Sequence, residues 1–109
     1  IKAITLPDDH PDLASSYNNI GVVHAKMEDY SQALSFYNKA LAIREKSLPA
    51  NHPDLASSYS NIALVYCDMK KYPEALTCYK KAITIYEKVF PQNHPDLIDA
   101  YNKLGVVYE

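Results

Sequence analysis

Residues 10–17 read HPDLASSY, the same eight letters return at residues 52–59, and HPDL alone returns at 94–97. A histidine and an aspartate presented three times could be chemistry, or could mark where a structural unit begins. Extending the comparison outward decides between the two. Residues 10–51 and 52–93 align without a gap over 42 positions, 23 of them identical. Residues 94–109, HPDLIDAYNKLGVVYE, open a third copy, and residues 1–9, IKAITLPDD, match the tail of a copy, as in IREKSLPAN at 43–51. The chain therefore reads as one repeat domain over 1–109: a tail at 1–9, repeat 1 at 10–51, repeat 2 at 52–93, and the first helix of repeat 3 at 94–109. Self-similarity at a fixed step of this size is the signature of stacked supersecondary units that share a continuous core.

Each unit carries two stretches with helical periodicity. In the first unit Leu13, Tyr17, Ile20, Gly21, His24 and Met27 fall at steps of three and four, on one helical face, and Ala33, Leu34, Tyr37, Ala40, Leu41 and Leu48 do so in the second stretch. The second unit repeats this with Leu55, Tyr59, Ile62, Ala63, Tyr66 and Met69, then Ala75, Leu76, Tyr79, Ala82, Ile83 and Tyr86. Links as short as KMEDY at 26–30 and DMKKY at 68–72 favour antiparallel neighbours. Pro7, Pro49 and Pro91 stand where the second helix of a unit ends. Gly21 is expected to face Ala33 and Ala40, with Ala63, Ala75 and Ala82 in the next unit, because a larger side chain at a crossing would hold the helices apart. Tyr17, Tyr37, Tyr59 and Tyr79 are expected to fill the space between successive helices, ring buried and hydroxyl at a polar partner. The fold class is all-α, an antiparallel helix-pair solenoid, as a fragment of about two and a half repeats.

Within this frame HPDL reads as punctuation. Proline suits the first helical position, where its missing N–H goes unneeded. The aspartate behind it complements the positive end of the helix dipole, and the leucine is the first core contact. His10, His52 and His94 then stand at the N-cap, where a side-chain acceptor can take an orphan N–H. A zinc site needs several ligands about 2 Å from one ion, whereas packed helices hold these histidines about 10 Å apart; no metal site is expected.

Composition narrows the function classes. Eleven basic against thirteen acidic side chains give a net charge of −2 and no broad basic face, so nucleic acid is not an expected partner. No apolar run approaches the roughly 20 residues that span a bilayer, and the opening residues show no apolar signal region. The glycines are Gly21 and Gly105 alone, too few and too far apart for a phosphate-cradling loop. Cys67 and Cys78 form no CxxC pair and no disulfide framework, which fits a reducing, cytoplasmic setting. His24 reads as a core histidine with one hydrogen bond. No Ser-His-Asp, Cys-His or paired-carboxylate set converges, so neither catalysis nor a cofactor is expected.

With those residues in place, the chain resembles the tetratricopeptide repeat family. The family pattern, W-x-x-L-G-x-x-Y then A-x-x-x-F-x-x-A, is met by Tyr17, Ile20, Gly21 and His24 with Ala33, Tyr37 and Ala40. It is met again by Tyr59, Ile62, Ala63 and Tyr66 with Ala75, Tyr79 and Ala82, and by Tyr101, Leu104, Gly105 and Tyr108. The step is 42 residues rather than the usual 34 or so. Glu45 and Glu87 replace the family's helix-ending proline, so the second helix is expected to run to about Ser47 and Val89. Glu28 and Lys70 replace the turn glycine, so those turns are expected to carry strain. The step, YNNIG, ALAIREK and the terminal HPDL together resemble the kinesin light chain type of repeat.

The resemblance implies a right-handed superhelix whose first helices line a concave groove, and a non-catalytic scaffold that binds an extended peptide or partner segment there. It places groove positions at Asn18, Asn19, Val22, Ala25 and Lys26, at Ser60, Asn61, Leu64, Cys67 and Asp68, and at Asn102, Lys103, Val106 and Glu109. In the family an asparagine at the position of Asn19 and Asn61 contacts ligand backbone; Lys103 replaces it in the third copy. Val22, Leu64 and Val106 would supply an apolar floor. The family's clamp for a terminal carboxylate needs Lys and Asn where this chain has Asn18 and Val22, then Ser60 and Leu64, so that clamp is not expected. A rival reading comes from the last helix, whose second-helix partner is not in the chain. Leu97, Tyr101, Leu104 and Tyr108 are expected to lie open there, available for head-to-tail self-association with another copy.

Overall fold

The computed structural model describes residues 11–91 and 93–108, with side chains at 13–91 and 93–105. The tail at 1–9, His10, Glu109 and the side chains of Val106 and Tyr108 lie outside the described residues. Five helices follow one another: α1 (Pro11–Lys26), α2 (Tyr30–Ser47), α3 (Pro53–Asp68), α4 (Tyr72–Val89) and α5 (Pro95–Tyr108). Each packs on its neighbours in chain order, α1 with α2, α2 with α3, α3 with α4 and α4 with α5. The body measures 53 × 31 × 19 Å, elongated as expected when units touch only their neighbours.

HPDL starts helices through the backbone. His52 Nδ1 accepts the Asp54 N–H at 3.0 Å, and His94 Nδ1 accepts the Asp96 N–H at 3.1 Å. A ring nitrogen that accepts an N–H carries no proton, so the Asp54 carboxylate 3.8 Å from the same atom is not its ion-pair partner. The bend before each cap is closed by His52 N–H to Pro49 O at 3.0 Å and His94 N–H to Pro91 O at 2.9 Å. His94 also stacks on Phe90 with ring centroids 3.7 Å apart, so the histidine packs as well as caps. The helices before these bends stop because Leu48 and Phe90, each preceding a proline, are extended with ψ of 152° and 148°.

The departures from the family pattern have structural consequences. Helices α2 and α4 end at Ser47 and Val89, the positions anticipated from Glu45 and Glu87. Those two carboxylates then reach the next unit: Tyr59 donates its hydroxyl to Glu45 Oε2 at 3.3 Å, and Tyr101 donates to Glu87 Oε2. The additional helical turn thus ties each unit to its successor. Glu28 and Lys70, in place of the turn glycine, both sit at φ 62°, the left-handed region that costs a residue with a Cβ about 1–2 kcal/mol.

The second helices carry a large share of the core, and α3 carries as much, through Leu55, Ala56, Ser58, Ile62, Ala63 and Val65. Ala33, Tyr37, Ala40 and Ile43 of α2 and Ala75, Tyr79, Ala82, Ile83, Ile85 and Tyr86 of α4 are all buried. Gly21 admits α2 closely: a Cβ there would stand 2.7 Å from Tyr37 Cδ1 and 3.3 Å from the Ala33 carbonyl. Its neighbour is thus Tyr37 rather than the expected Ala40, which packs with Ala14 and Ile43 instead. Ile20 and Met27, read as packing residues, are 40% and 61% exposed. Their counterparts are covered by α2, with Ile62 in one cluster with Ala33 and Tyr37 and Met69 packed against it; among the described residues no helix stands on that side of α1.

Leu97 corrects the expectation for the last helix. It is 2% exposed, packed with Ala82, Ile83, Ile85 and Tyr86 of α4. It is the leucine of HPDL, and α4 of the preceding unit covers it. Leu104 is partly buried against the same cluster, and Tyr101 is 44% exposed.

The cap and turn roles predict opposite shifts. His52→Ala lowers stability by about 1 kcal/mol and His52→Asp does not, whereas Lys70→Gly raises it by a few tenths to about 1 kcal/mol. Urea midpoints of the three variants check both; a stabilised His52→Ala or a destabilised Lys70→Gly contradicts them.

Candidate functional site

Helices α1, α3 and α5 each keep one face outward; α1 and α3 meet along it, and so do α3 and α5. On α1, Asn18, Val22 and Ala25 are partly buried, while Asn19 and Lys26 are exposed. On α3, Ser60, Asn61 and Cys67 are partly buried and Asp68 is exposed, with Leu64 49% exposed. On α5, Asn102 and Lys103 are exposed. Val22 leans into the cluster of Ile62 and Val65, so it belongs as much to the core as to the surface.

Two of these positions meet. Asn61 Nδ2 donates to Asn18 Oδ1 at 3.0 Å, bridging α1 and α3. One N–H and the carbonyl oxygen of Asn61 remain for a ligand. Below this bridge Arg44 reaches up from α2, and its Nη1 donates to Ser58 Oγ at 2.6 Å. Ser58, 1% exposed, donates its own hydrogen bond to the Asp54 carbonyl at 3.1 Å. The junction of the first two units is therefore closed, its buried polar groups paired.

The next junction is open. Ser57, Ser60 and Asn61 of α3 and Asp96, Asp99, Ala100 and Lys103 of α5 line a cleft of about 170 Å³, with Tyr86 of α4 at its floor. Lys103 Nζ lies 3.0 Å from Asp99 Oδ2 on its own helix. The Tyr86 hydroxyl meets Ser57 Oγ at 3.4 Å. Ser57 and Asp99 were not singled out from the sequence, and Tyr86 and Asp96 were read there only as a packing residue and a helix-start residue. The signal was present in how the copies differ at aligned positions: Arg44 becomes Tyr86, Ser57 becomes Asp99 and Ser58 becomes Ala100.

The remaining reactive side chains are subdued. Burial pushes the Cys67 and Cys78 thiols above the usual range, although a hydrogen bond with Tyr79 pulls Cys67 the other way. Neither is an activated nucleophile, which requires a lowered value. His24 stacks on Phe36 with centroids 5.5 Å apart. Its Nδ1 is enclosed without a hydrogen bond, and Asp29 Oδ2 stands 3.5 Å away. Among the described residues no helix is long and apolar enough to cross a membrane.

Comparison with known proteins agrees with this architecture. A family model described as Tetratricopeptide repeat matches residues 13–54 and 55–96, the same step from unit to unit. No curated protein matches the chain. Among solved structures, a Podosopora anserina protein described as a kinesin light chain with nearly identical TPR-like repeats superposes with a TM-score of 0.87 at 22% identity. The alignment covers 95% of this chain and 49% of that one. The P. vanneervenii protein BtubC (BKLC) superposes with a TM-score of 0.82 at 23% identity, over 91% of this chain and 39% of that one. The chain thus spans half or less of the length of these relatives, and at such identities the likeness is one of fold.

The buried phenols predict an alkaline limit. Burial raises Tyr37, Tyr59 and, furthest, Tyr79 above the ordinary phenol value of 10.0. The folded chain keeps these protons where the unfolded chain has lost them, so stability is full below that value and falls as the pH climbs through the folded values. Denaturant midpoints measured from about pH 9 to 12 decline, and Tyr79→Phe makes the decline shallower; a flat profile contradicts this.

Proposed function

This chain belongs to the tetratricopeptide repeat family, in its 42-residue, kinesin light chain-like variety, and from that membership we propose a non-catalytic scaffold that binds an extended peptide across α1, α3 and α5. The observation that carries the proposal is the row of amides and hydroxyls on that face, with Asn18 and Asn61 already bridging two units. An amide offers a donor and an acceptor together, so it can pair with peptide backbone without selecting a side chain. Asn19 and Asn61 take that part in this reading, with Asn18, Ser60 and Asn102 beside them. Leu64, Val22 and Val106 give apolar contact. Lys26, Asp68 and Lys103 give the face mixed charge, which suits a protein partner better than nucleic acid or a membrane surface. A cytoplasmic setting goes with the two free thiols.

The test is the double substitution Asn19→Ala with Asn61→Ala, against peptides selected by display on this chain. Losing two hydrogen bonds weakens binding about tenfold or more, while the helical circular dichroism stays unchanged. Unaltered affinity puts the peptide elsewhere.

A second reading has its own observation. Ile98 and Tyr101 are 47% and 44% exposed, and nothing lies within 4 Å of a Cβ placed on Gly105. In that reading α5 docks end to end with another copy through Tyr101, Leu104 and Tyr108. Light scattering across a hundredfold concentration range would then show mass rising above the monomer; a constant monomer mass rules it out.

A further inference from the structure

The two junctions occupy equivalent positions and differ in chemistry. At the first, the floor residue is a cation, Arg44, whose Nη1 is fixed to Ser58 Oγ at 2.6 Å, and Asn18 and Asn61 close the mouth at 3.0 Å. One repeat later the floor is Tyr86, Ala100 stands for Ser58, Asp99 for Ser57 and Lys103 for Asn61. The fixed guanidinium is gone, the hydroxyl it bonded is gone, and a carboxylate has been gained. Lys103 could cross to Ser60 as Asn61 crosses to Asn18. Instead its ammonium turns along α5 to Asp99, and the mouth stays open.

We infer that this cleft is a subsite for one basic side chain of a peptide lying in the groove, its ammonium or guanidinium seated between the Asp96 and Asp99 carboxylates above the Tyr86 hydroxyl. The inference rests on the groove reading and adds to it the chemistry of one ligand position. Asp96 and Asp99 outnumber Lys103, so the lining has an excess negative charge. Tyr86 is 7% exposed, and its hydroxyl has only a long 3.4 Å contact with Ser57, leaving lone-pair capacity toward the cleft. Ser57 and Ser60 add hydroxyl acceptors. The volume of about 170 Å³ is below the roughly 300 Å³ at which small-molecule sites begin, and it suits a single side chain. An acidic side chain would have to displace Asp99 from Lys103 and remain beside Asp96.

Three capped heptapeptides that differ only at the central residue, Lys, Gln or Glu on an Ala/Ser background, are titrated into the ¹⁵N-labelled protein at low salt. The Lys peptide is expected to bind about fivefold tighter than the Gln peptide, with shifts centred on Ser60, Asp99 and Lys103, as for a charge-assisted contact. Asp99→Asn abolishes that preference. Lys103→Gln, which removes the competing ammonium, enlarges it. Equal shifts of the α1, α3 and α5 face by all three peptides overturn the basic subsite and leave the groove reading intact. No shift on that face overturns both. Tightest binding by the Glu peptide overturns the subsite and assigns the cleft to the Lys103 ammonium.

Discussion

Everything in this fold depends on the second helix of each unit being packed from two sides. Helix α2 supports α1 through Ala33 and Tyr37, and supports α3 through its cluster with Ile62 and Val65. Helix α4 does the same between α3 and α5, with Ile83, Ile85 and Tyr86 packed with Leu55 and Leu97. A helix in that position needs small residues where its neighbours cross and rings where they diverge, hence the alanines at 33, 40, 75 and 82 and the tyrosines at 37 and 79. Its length matters too. By running on to Ser47 and Val89 it carries Glu45 and Glu87 to the tyrosines of the next unit, so the longer repeat adds a polar tie to the apolar contact.

The first helices contribute to the core as well, α3 through Leu55, Ile62 and Val65 and α5 through Leu97. Each of α1, α3 and α5 still turns one face outward, and that face carries side chains that the packing does not dictate. There the copies differ at Asn18 against Ser60 and at Lys26 against Asp68. Asn18 and Asn61 close one junction, while Ser60 and Lys103 leave the corresponding one open. A repeat array can therefore hold its fold constant and vary its recognition surface position by position.

The fold was largely legible in the sequence because it repeats itself. The recurrence of HPDLASSY fixed the step, the replacement of a proline by Glu45 and Glu87 fixed where α2 and α4 end, and the missing turn glycine anticipated the positive φ of Glu28 and Lys70. What periodicity could not supply was which neighbour covers a given face. It marked Leu97 as apolar but could not say that α4 covers it, and it paired Gly21 with Ala33 and Ala40 where the structure has Ala33 and the ring of Tyr37. The candidate site was legible only in part. Resemblance to the family drew attention to Asn18, Asn19, Ser60 and Asn61, whereas the cleft owes its chemistry to Tyr86 and Asp99, where this chain's copies differ and the family pattern names nothing.

The central claim is that the outward face of α1, α3 and α5 holds an extended peptide by its backbone. The most direct measurement is the structure of this chain with a display-selected peptide bound. The account predicts an extended backbone along that face, within hydrogen-bond distance of the Asn19 and Asn61 amides. A peptide seated on the outer side of α2 and α4, or one that reaches neither amide, would contradict it.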